Sequence, residues 1–498
     1  MSSIRKQSIY SSLFIYAGFI IGAINILKLF PDTRYFRTEE FGLTRLLLDV
    51  AILFSTTCTL GSLNITFKFF PFYRSYLPER KNDLPTITLI LVLTGCIIFS
   101  ILVPMAQPFL LRKFGSRSPL FLDYFYLIYP FTISLAFFNL MEAYAWSLQR
   151  TVLTNFLKEF LSRIITTALI LLFMWKIIPT FKIFVNIYVY IYGALALSLF
   201  LLMLKKGEFP IKFSKSSVTR RLSGKMFVFG FSFFLSSILN ILAKTNDTII
   251  IASQSKGGLV DTAIFVIATY LVTLMDVPQR SLISAATAQI SIAWKERDME
   301  KIGRLYSKTA LNLLIAAIAI LGTLLLNGKN IVHFLGPTYG PIPQLLVLLG
   351  LTRLIDLGTG LNAQILVLSR YWKVDLITNL LFVVASIIFN YFLTIRMGVM
   401  GPAWGGLMAI IIFNTLRFIF LWSFFRLQPF SSKNLKAFLL GIVIFLFINL
   451  IPQIGNLFID GAIRSFLFLG MYTTAILRLH VSEDINQVFL SIRSRVRL

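Results

Sequence analysis

Long uninterrupted apolar runs constrain this chain more than any other feature of its sequence. Hydrophobic residues fill 57% of the 498 positions and charged residues 14%, and the mean hydropathy is +0.80. A soluble domain usually carries about 25% charged residues, so this composition excludes an ordinary water-soluble globule. A membrane-spanning helix needs about 20 apolar residues, whereas strands of a membrane barrel alternate over about 10. The runs therefore predict an all-α polytopic membrane protein.

Hydropathy predicts about fourteen membrane-spanning helices, arranged as two six-helix lobes with pseudo-twofold symmetry plus a C-terminal helix pair. The predicted spans are 8–30, 41–67, 84–111, 120–148, 151–175, 183–204, 226–251, 262–293, 309–327, 343–367, 374–395, 401–425, 436–452 and 462–479. Matches at a near-constant offset, such as Asn25-Ile26-Leu27 with Asn240-Ile241-Leu242, support the repeat. The predicted parts are an N-terminal lobe (1–204), a basic cytoplasmic linker (205–225), a C-terminal lobe (226–426), a helix pair (427–479) and a basic amphipathic tail on anionic lipid (480–498).

The net charge of +26 mainly reports orientation in the membrane. Of the 47 Lys and Arg residues, 28 lie in segments on the side of the N-terminus and 11 in segments on the opposite side. Cytoplasmic loops carry the excess of basic residues, so we expect both termini in the cytoplasm. The basic residues are interleaved with apolar runs instead of covering a hydrophilic surface, which argues against a nucleic-acid partner.

Eight basic residues fall inside the first twelve predicted spans, where an ionisable group is costly and marks a functional candidate. Lys28, Arg45, Lys244 and Arg280 lie on spans 1, 2, 7 and 8, the first two helices of each predicted repeat. In a two-lobed carrier these helices would line the central cleft. Four cations there would attract an anionic ligand, and a pyrophosphate suits arginine well. We therefore predict a pyrophosphate-binding role for these four residues.

A structural alternative exists for most of these charges, because an acidic residue often lies one helical turn away. Residues three or four apart share a helix face and can form local ion pairs that lower the cost of burial. Arg163 and Arg353, which we regard as secondary cavity candidates, have such neighbours too. The predicted local pairs are Arg45–Asp49, Arg163–Glu159, Lys244–Asp247, Arg280–Asp276 and Arg353–Asp356.

Metal chemistry and covalent catalysis find no support in the sequence. Cys58 and Cys96 lie in apolar runs and read as buried hydrophobes, and His333 and His480 are far apart in the chain. A membrane-embedded polysaccharide polymerase or ligase would also be a many-span protein, but it needs an acid/base or metal constellation on a long outer loop. No such loop and no phosphate-binding or nucleophile motif is present, so we favour a carrier over an enzyme.

The N-terminal region resembles that of a known family of transporters. The segments that carry the resemblance are Phe30-Pro31, the run from Glu39 to Asp49, and Lys68-Phe69-Phe70-Pro71. They are similar to the bacterial oligosaccharide flippases of the Wzx type, the translocases of O-antigen units in lipopolysaccharide biosynthesis. These belong to the multidrug/oligosaccharidyl-lipid/polysaccharide exporter superfamily. Drug extruders of that superfamily have twelve spans, so the extra predicted pair favours the polysaccharide branch.

The resemblance implies a flippase of the bacterial inner membrane that moves undecaprenyl-pyrophosphate-linked oligosaccharide to the periplasmic leaflet by alternating access. It implies no cofactor beyond a coupling cation, Na⁺ or H⁺, and a polysaccharide polymerase or chain-length machinery as partners. A cation-coupled multidrug extruder is the alternative. The candidate ion-coupling residues are Asp49, Asp247, Asp276 and Asp356.

Overall fold

A computed structural model describes residues 3–78 and 81–496, and all its regular elements are helices. For a few residues inside helices, Arg280 among them, the side chain lies outside the described part. The α-helices are α1 Ser3–Ile24, α2 Thr38–Cys58, α3 Ser62–Tyr76, α4 Leu84–Phe114, α5 Pro119–Asp123, α6 Ile128–Ser147, α7 Thr151–Asn155, α8 Ser162–Met174, α9 Phe181–Lys205, α10 Ser217–Gln254, α11 Gly258–Val272, α12 Asp276–Glu296, α13 Met299–Leu326, α14 Gly328–Leu335, α15 Ile342–Gly358, α16 Asn362–Leu368, α17 Trp372–Met397, α18 Met400–Phe425, α19 Ser432–Asn449, α20 Leu457–Arg478 and α21 Glu483–Val496.

The all-helical membrane class is confirmed. Within the described ranges, twelve helical segments are long and apolar enough to cross a membrane. The predicted spans at 151–175 and 462–479 are also helical, but they are not among the twelve. The first is divided by a π-helical segment, Phe156–Leu161, that carries charge, and the second corresponds to α20, which contains Asp460 and Arg464. These charged residues lower the apolarity of both segments.

Two spans contain a short change of helix type. A 3₁₀ turn, Phe125–Leu127, leads into α6, and a second one, Thr273–Met275, leads into α12. Pro130 and Pro278 are the third residues of these two helices. Proline is tolerated in the first helical turn, where its missing N–H costs no hydrogen bond. Pro130 therefore lies near the start of its span, whereas the turn before Pro278 lies inside the segment Gly258–Gln279, which is long and apolar enough to cross a membrane.

The first compact unit, Met1–Ala263, is built around α2. This helix packs against α4, α6 and α10, and α6 also packs against α9. Gly42 of α2 makes a close approach to another backbone, since a Cβ atom there would lie 1.9 Å from the carbonyl oxygen of Leu259. Both cysteines, Cys58 and Cys96, are buried in this unit, as predicted. The backbone contact at Gly42 ties the start of α2 to the start of α11.

The second compact unit, Ile264–Leu498, contains the closely paired helices α17 and α18 and the long helix α13. Helix α13 packs against α15, and the C-terminal helices α19 and α20 pack against α13 and against each other. Gly405 of α18 lies against Asn390 of α17, where a Cβ atom would be 2.1 Å from the amide oxygen. The lobe boundaries given from the sequence stay a prediction.

Candidate functional site

Arg45 lies on α2 in an aromatic environment. Its guanidinium group is 5.5 Å from the ring centroid of Phe30 and 5.4 Å from that of Phe41. Cation–π attraction of this kind stabilises a cation without neutralising its charge. The Arg45 Nε atom is buried and has no hydrogen-bond partner among the residues that the structure describes. Arg45 therefore keeps a hydrogen-bond donor and its charge for a ligand.

The neighbouring helix α10 runs antiparallel to α2 and α3. Four contacts establish this direction. As the residue number rises along α2 and α3, the number of the residue contacted on α10 and at the start of α11 falls. The contacts are Gly42 with Leu259, Asp49 with Thr248, Asn64 with Ser237, and Tyr73 with Thr219. The Asp49 contact is a 2.6 Å hydrogen bond from the Thr248 hydroxyl to the carboxylate. We call the surface along which α2 and α10 meet the α2–α10 seam.

Lys244 and Arg45 lie on this seam on opposite sides of the Asp49–Thr248 contact. Each cation precedes its contact residue by four positions, which is about 6 Å along a helix. Since the helices are antiparallel, the two displacements point in opposite directions, and the two Cα atoms are about 12 Å apart along the seam. The cations therefore lie at two depths, and only their long side chains can bring the charges closer.

Lys244 and Asp247 do not form the local ion pair that the sequence predicts. Lys244 is exposed, and within the described part of the chain no carboxylate lies within 4.0 Å of it, whereas Asp247 is half-buried and has another interaction. Asp49 likewise takes Thr248 as its hydrogen-bond partner, with Arg45 close enough for an electrostatic interaction. Arg45 and Lys244 are thus less neutralised by carboxylates than the predicted local ion pairs would make them.

The other two predicted pyrophosphate ligands are less defined by the structure. Lys28 is exposed in a π-helical segment, Asn25–Leu29, at the end of the first span, and it interacts electrostatically with Asp32. The pKa of Asp32 is lowered chiefly by hydrogen bonds from Arg34. Arg280 belongs to α12, but its side chain lies outside the described residues. Its predicted pair with Asp276 therefore stays a prediction.

In the second unit, Arg353 of α15 is shared by two of the predicted ion-coupling residues. Its guanidinium nitrogens lie 3.4 Å from Asp276 and 3.6 Å from Asp356. The predicted pair with Asp356 is present, and the contact with Asp276 joins α12 to α15. Two carboxylates around one arginine leave a net negative charge, which a proton or a small cation can balance.

Other intramembrane charges have partners that only the fold provides. Arg163 forms the predicted pair with Glu159 at 2.8 Å and also donates to the carbonyl oxygen of Gly18. Lys158 pairs with Glu142 of α6 at 2.7 Å. These contacts neutralise the two cations. They connect α1 to α8 through Arg163, and α6 to the π-helical segment Phe156–Leu161 through Lys158.

Sequence reasoning missed the partner of Arg417. This residue of α18 is buried and pairs with Asp375 of α17, with its Nε atom donating to Thr378 at 3.0 Å. A guanidinium nitrogen also reaches Asn362, whose amide donates to Asn414 at 2.8 Å. The available signal was that Arg417 has no acidic residue one turn away. A cation without a local partner must find one on another helix.

The described residues contain no group of His, Cys, Asp and Glu that is arranged to hold a metal ion. The charged groups of the candidate site are the seam cations Arg45 and Lys244 and the carboxylates near them. Such an arrangement can bind a diphosphate through charge-assisted hydrogen bonds.

Comparison with solved structures finds proteins that share this fold. The chain superposes on lipid II flippase MurJ, in an inward-closed conformation, with a TM-score of 0.73, 13% identity and coverage of 95% of this chain and 100% of that one. The chain has the fold of a known flippase. A multidrug resistance MATE family transporter of the MOP superfamily, inward-facing, matches with a TM-score of 0.57, 17% identity and coverage of 86% and 96%. No protein-family model and no curated protein sequence matches the chain.

Proposed function

We propose that this protein is a flippase that carries undecaprenyl-pyrophosphate-linked oligosaccharide across the bacterial inner membrane for surface polysaccharide biosynthesis. The observation that carries the proposal is Arg45, a membrane-embedded arginine with a free buried donor beside the exposed Lys244 on one seam. A cation this incompletely neutralised is costly in a bilayer unless it has a function. The shared fold with a lipid II flippase supports the same assignment.

In the proposed mechanism, Arg45 and Lys244 bind the pyrophosphate at successive depths. Lys28 and Arg280 are the further predicted ligands, and Arg163 and Arg353 remain secondary candidates. The Arg45 guanidinium donates hydrogen bonds to two phosphate oxygens, while Lys244 acts as a mobile point charge. The lipid tail stays in the bilayer, and an alternating-access cycle transfers the headgroup. The protein makes and breaks no covalent bond of the substrate, and both of its termini are cytoplasmic in this proposal.

Coupling to Na⁺ or H⁺ would involve the membrane-embedded carboxylates. Asp276 and Asp356 around Arg353 form one candidate pair, and Asp49, with its Thr248 hydrogen bond, forms another candidate on the seam. Asp247 is the fourth candidate. Protonation or cation binding at such a carboxylate changes the charge that faces the neighbouring cations, which alters their affinity for phosphate.

Extrusion of a cationic drug is the second candidate function. The fold shared with a multidrug resistance transporter favours it. The charge of the seam argues against it, because Arg45 and Lys244 repel a cation. A polysaccharide polymerase or ligase is a weaker alternative, since both structural neighbours are named as a flippase and a transporter.

Reconstitution into proteoliposomes tests the proposal. Undecaprenyl-pyrophosphate oligosaccharide is placed in one leaflet, and its exposure in the other is followed with a membrane-impermeant glycan-modifying reagent; ethidium efflux is measured in parallel. We expect protein-dependent headgroup transfer that the Arg45→Ala and Arg280→Ala variants lose. Ethidium efflux without headgroup transfer would reject the flippase in favour of the drug transporter. Oligosaccharide extension or transfer by the protein alone would instead establish an enzyme.

A further inference from the structure

A cavity in the second compact unit lies away from the charged groups discussed so far. It has a volume of about 810 Å³ and lies between α14, the connection to α15 and the loop that precedes α20; we call it the outer pocket. Its polar lining includes Lys329, Asn330, His333 and Gln453. Small-molecule sites measure about 300–1,000 Å³, so the pocket is large enough for an organic headgroup. The predicted topology places it on the extracytoplasmic side.

A buried ion pair fixes the walls of the outer pocket. Asp460 and Arg464 of α20 are 1% and 5% exposed, and their charged groups are 2.8 Å apart. The Asp460 carboxylate accepts hydrogen bonds from the Asn330 side chain at 2.7 Å and from the backbone N–H of Ile454 at 3.0 Å. Arg464 donates to the carbonyl oxygen of Ile451 at 2.8 Å. Both walls are thus anchored to one pair, which makes the pocket preorganised for a ligand.

The charge of the lining favours an anion. Lys329 and His333 are four residues apart on α14 and so lie on the same helix face, and both are exposed. Within the described part of the chain, neither side chain has an ion pair or a hydrogen bond. The Asp460 carboxylate, which accepts a hydrogen bond from the lining residue Asn330, is already neutralised by Arg464. The lining therefore presents donors and positive charge without a counter-ion.

The surface beside the pocket is apolar and aromatic. Phe334 of α14 and Phe458 of α20 form an edge contact, with 6.1 Å between ring centroids, and are 38% and 72% exposed. Phe466 of α20 is 78% exposed. Phenylalanine is favourable in the hydrocarbon of a bilayer, so exposed rings on membrane helices lie against acyl chains. An anion bound in the pocket would therefore be next to acyl chains.

We propose that the outer pocket binds the headgroup of an anionic phospholipid of the outer leaflet. Lys329 and His333 contact the phosphate, Gln453 contacts headgroup hydroxyl groups, and the acyl chains lie along Phe334 and Phe458. The site is separate from the α2–α10 seam, and it does not depend on the proposed flippase activity. Its role is to anchor the C-terminal helix pair to the lipid that surrounds it.

Lipid binding to the purified full-length protein tests this site. Dissociation constants are measured in detergent by native mass spectrometry for phosphatidylglycerol and phosphatidylcholine with equal chains, and for free glycerol phosphate. We expect phosphatidylglycerol to bind most tightly. The double variant Lys329→Gln/His333→Gln should weaken its binding about tenfold, the effect of losing a charge-assisted phosphate contact. The control Lys182→Gln, an exposed lysine on the same predicted side, should leave the affinity unchanged.

Three results would overturn the proposal. Equal affinity for the two phospholipids would remove the role of charge. Unchanged phosphatidylglycerol binding by the double variant would place the lipid elsewhere. Binding of free glycerol phosphate as tight as that of the lipid would assign the pocket to a soluble anion. Because the changed residues are exposed, the variants should unfold at the wild-type temperature, and this is measured with the same samples.

Discussion

The buried arginine of α20 and the arginine of the α2–α10 seam are both charged groups in apolar surroundings, but they are stabilised in different ways. Arg464 has a carboxylate at 2.8 Å and backbone carbonyl oxygens around the rest of its guanidinium group. Arg45 has two aromatic rings, a more distant carboxylate and a buried Nε atom without a hydrogen-bond partner among the described residues. We call an arginine saturated when its guanidinium donors have partners within the protein. A saturated arginine holds helices together, whereas an arginine with an unpaired donor is available to a ligand. The difference distinguishes Arg464, which holds its helix in place, from Arg45, which we propose to bind the substrate.

The largest expected effect is loss of stability when the saturated pair is broken. Arg464→Met leaves the Asp460 carboxylate buried without a counter-ion, and removing one partner of a buried pair costs about 3–5 kcal/mol. Arg45→Met should change the unfolding temperature little, because no carboxylate is left without a close partner. Thermal unfolding of both variants in detergent measures the contrast. The double variant Asp460→Leu/Arg464→Met should recover part of the loss, and equal sensitivity of the two single variants would break the comparison.

A second prediction concerns the packing of α17 on α18, which positions the saturated pair Asp375–Arg417. Gly405→Leu should destabilise the protein by about 1–3 kcal/mol, since the added side chain meets Asn390, including its backbone nitrogen. Gly406→Leu is the matched control, because nothing lies within 4 Å of a Cβ atom there. Thermal unfolding should distinguish the two leucine variants. Similar unfolding temperatures would show that the contact at Gly405 contributes little.

The smallest effect is expected at the C-terminal tail, where charges are exposed and weakly coupled. Glu483 of α21 accepts a hydrogen bond from Lys433 at 3.0 Å, which lowers the pKa of the carboxyl group. Because the pKa of Glu483 is lower in the folded state, the ion pair stabilises the tail fully at a pH above the ordinary glutamate pKa of about 4.3. This stabilisation is lost as the pH falls through the lower pKa of the folded state. Hydrogen exchange of α21 against pH measures the release. In Glu483→Gln this pH step should disappear, and an unchanged step would assign it to another group.

Hydropathy and charge were sufficient to predict the helical membrane class, because each span must satisfy its own backbone in the bilayer. Local spacing correctly predicted the Arg163–Glu159 and Arg353–Asp356 pairs. It could not find the partner of Arg417, which lies 42 positions away on another helix. Helix α20 begins at Leu457, earlier than the predicted start at position 462, because Asp460 neutralises Arg464 inside the helix.

The seam itself was only partly predictable from the sequence. Spacing identified Arg45 and Lys244 as candidates, but the antiparallel contact of α2 with α10 depends on residues that are about 200 positions apart, such as Asp49 and Thr248. No local pattern encodes that contact. The structure therefore adds the relative depth of the two cations, which the residue types alone do not contain.

The affinity for undecaprenyl pyrophosphate tests the central claim most directly. It is measured with the purified wild type, Arg45→Gln and the control Arg396→Gln, an exposed arginine at the end of α17, together with their unfolding temperatures. The account predicts that Arg45→Gln weakens binding about tenfold or more at an unchanged unfolding temperature, whereas Arg396→Gln binds like the wild type. Wild-type affinity in Arg45→Gln would contradict the assignment of the seam as the pyrophosphate site.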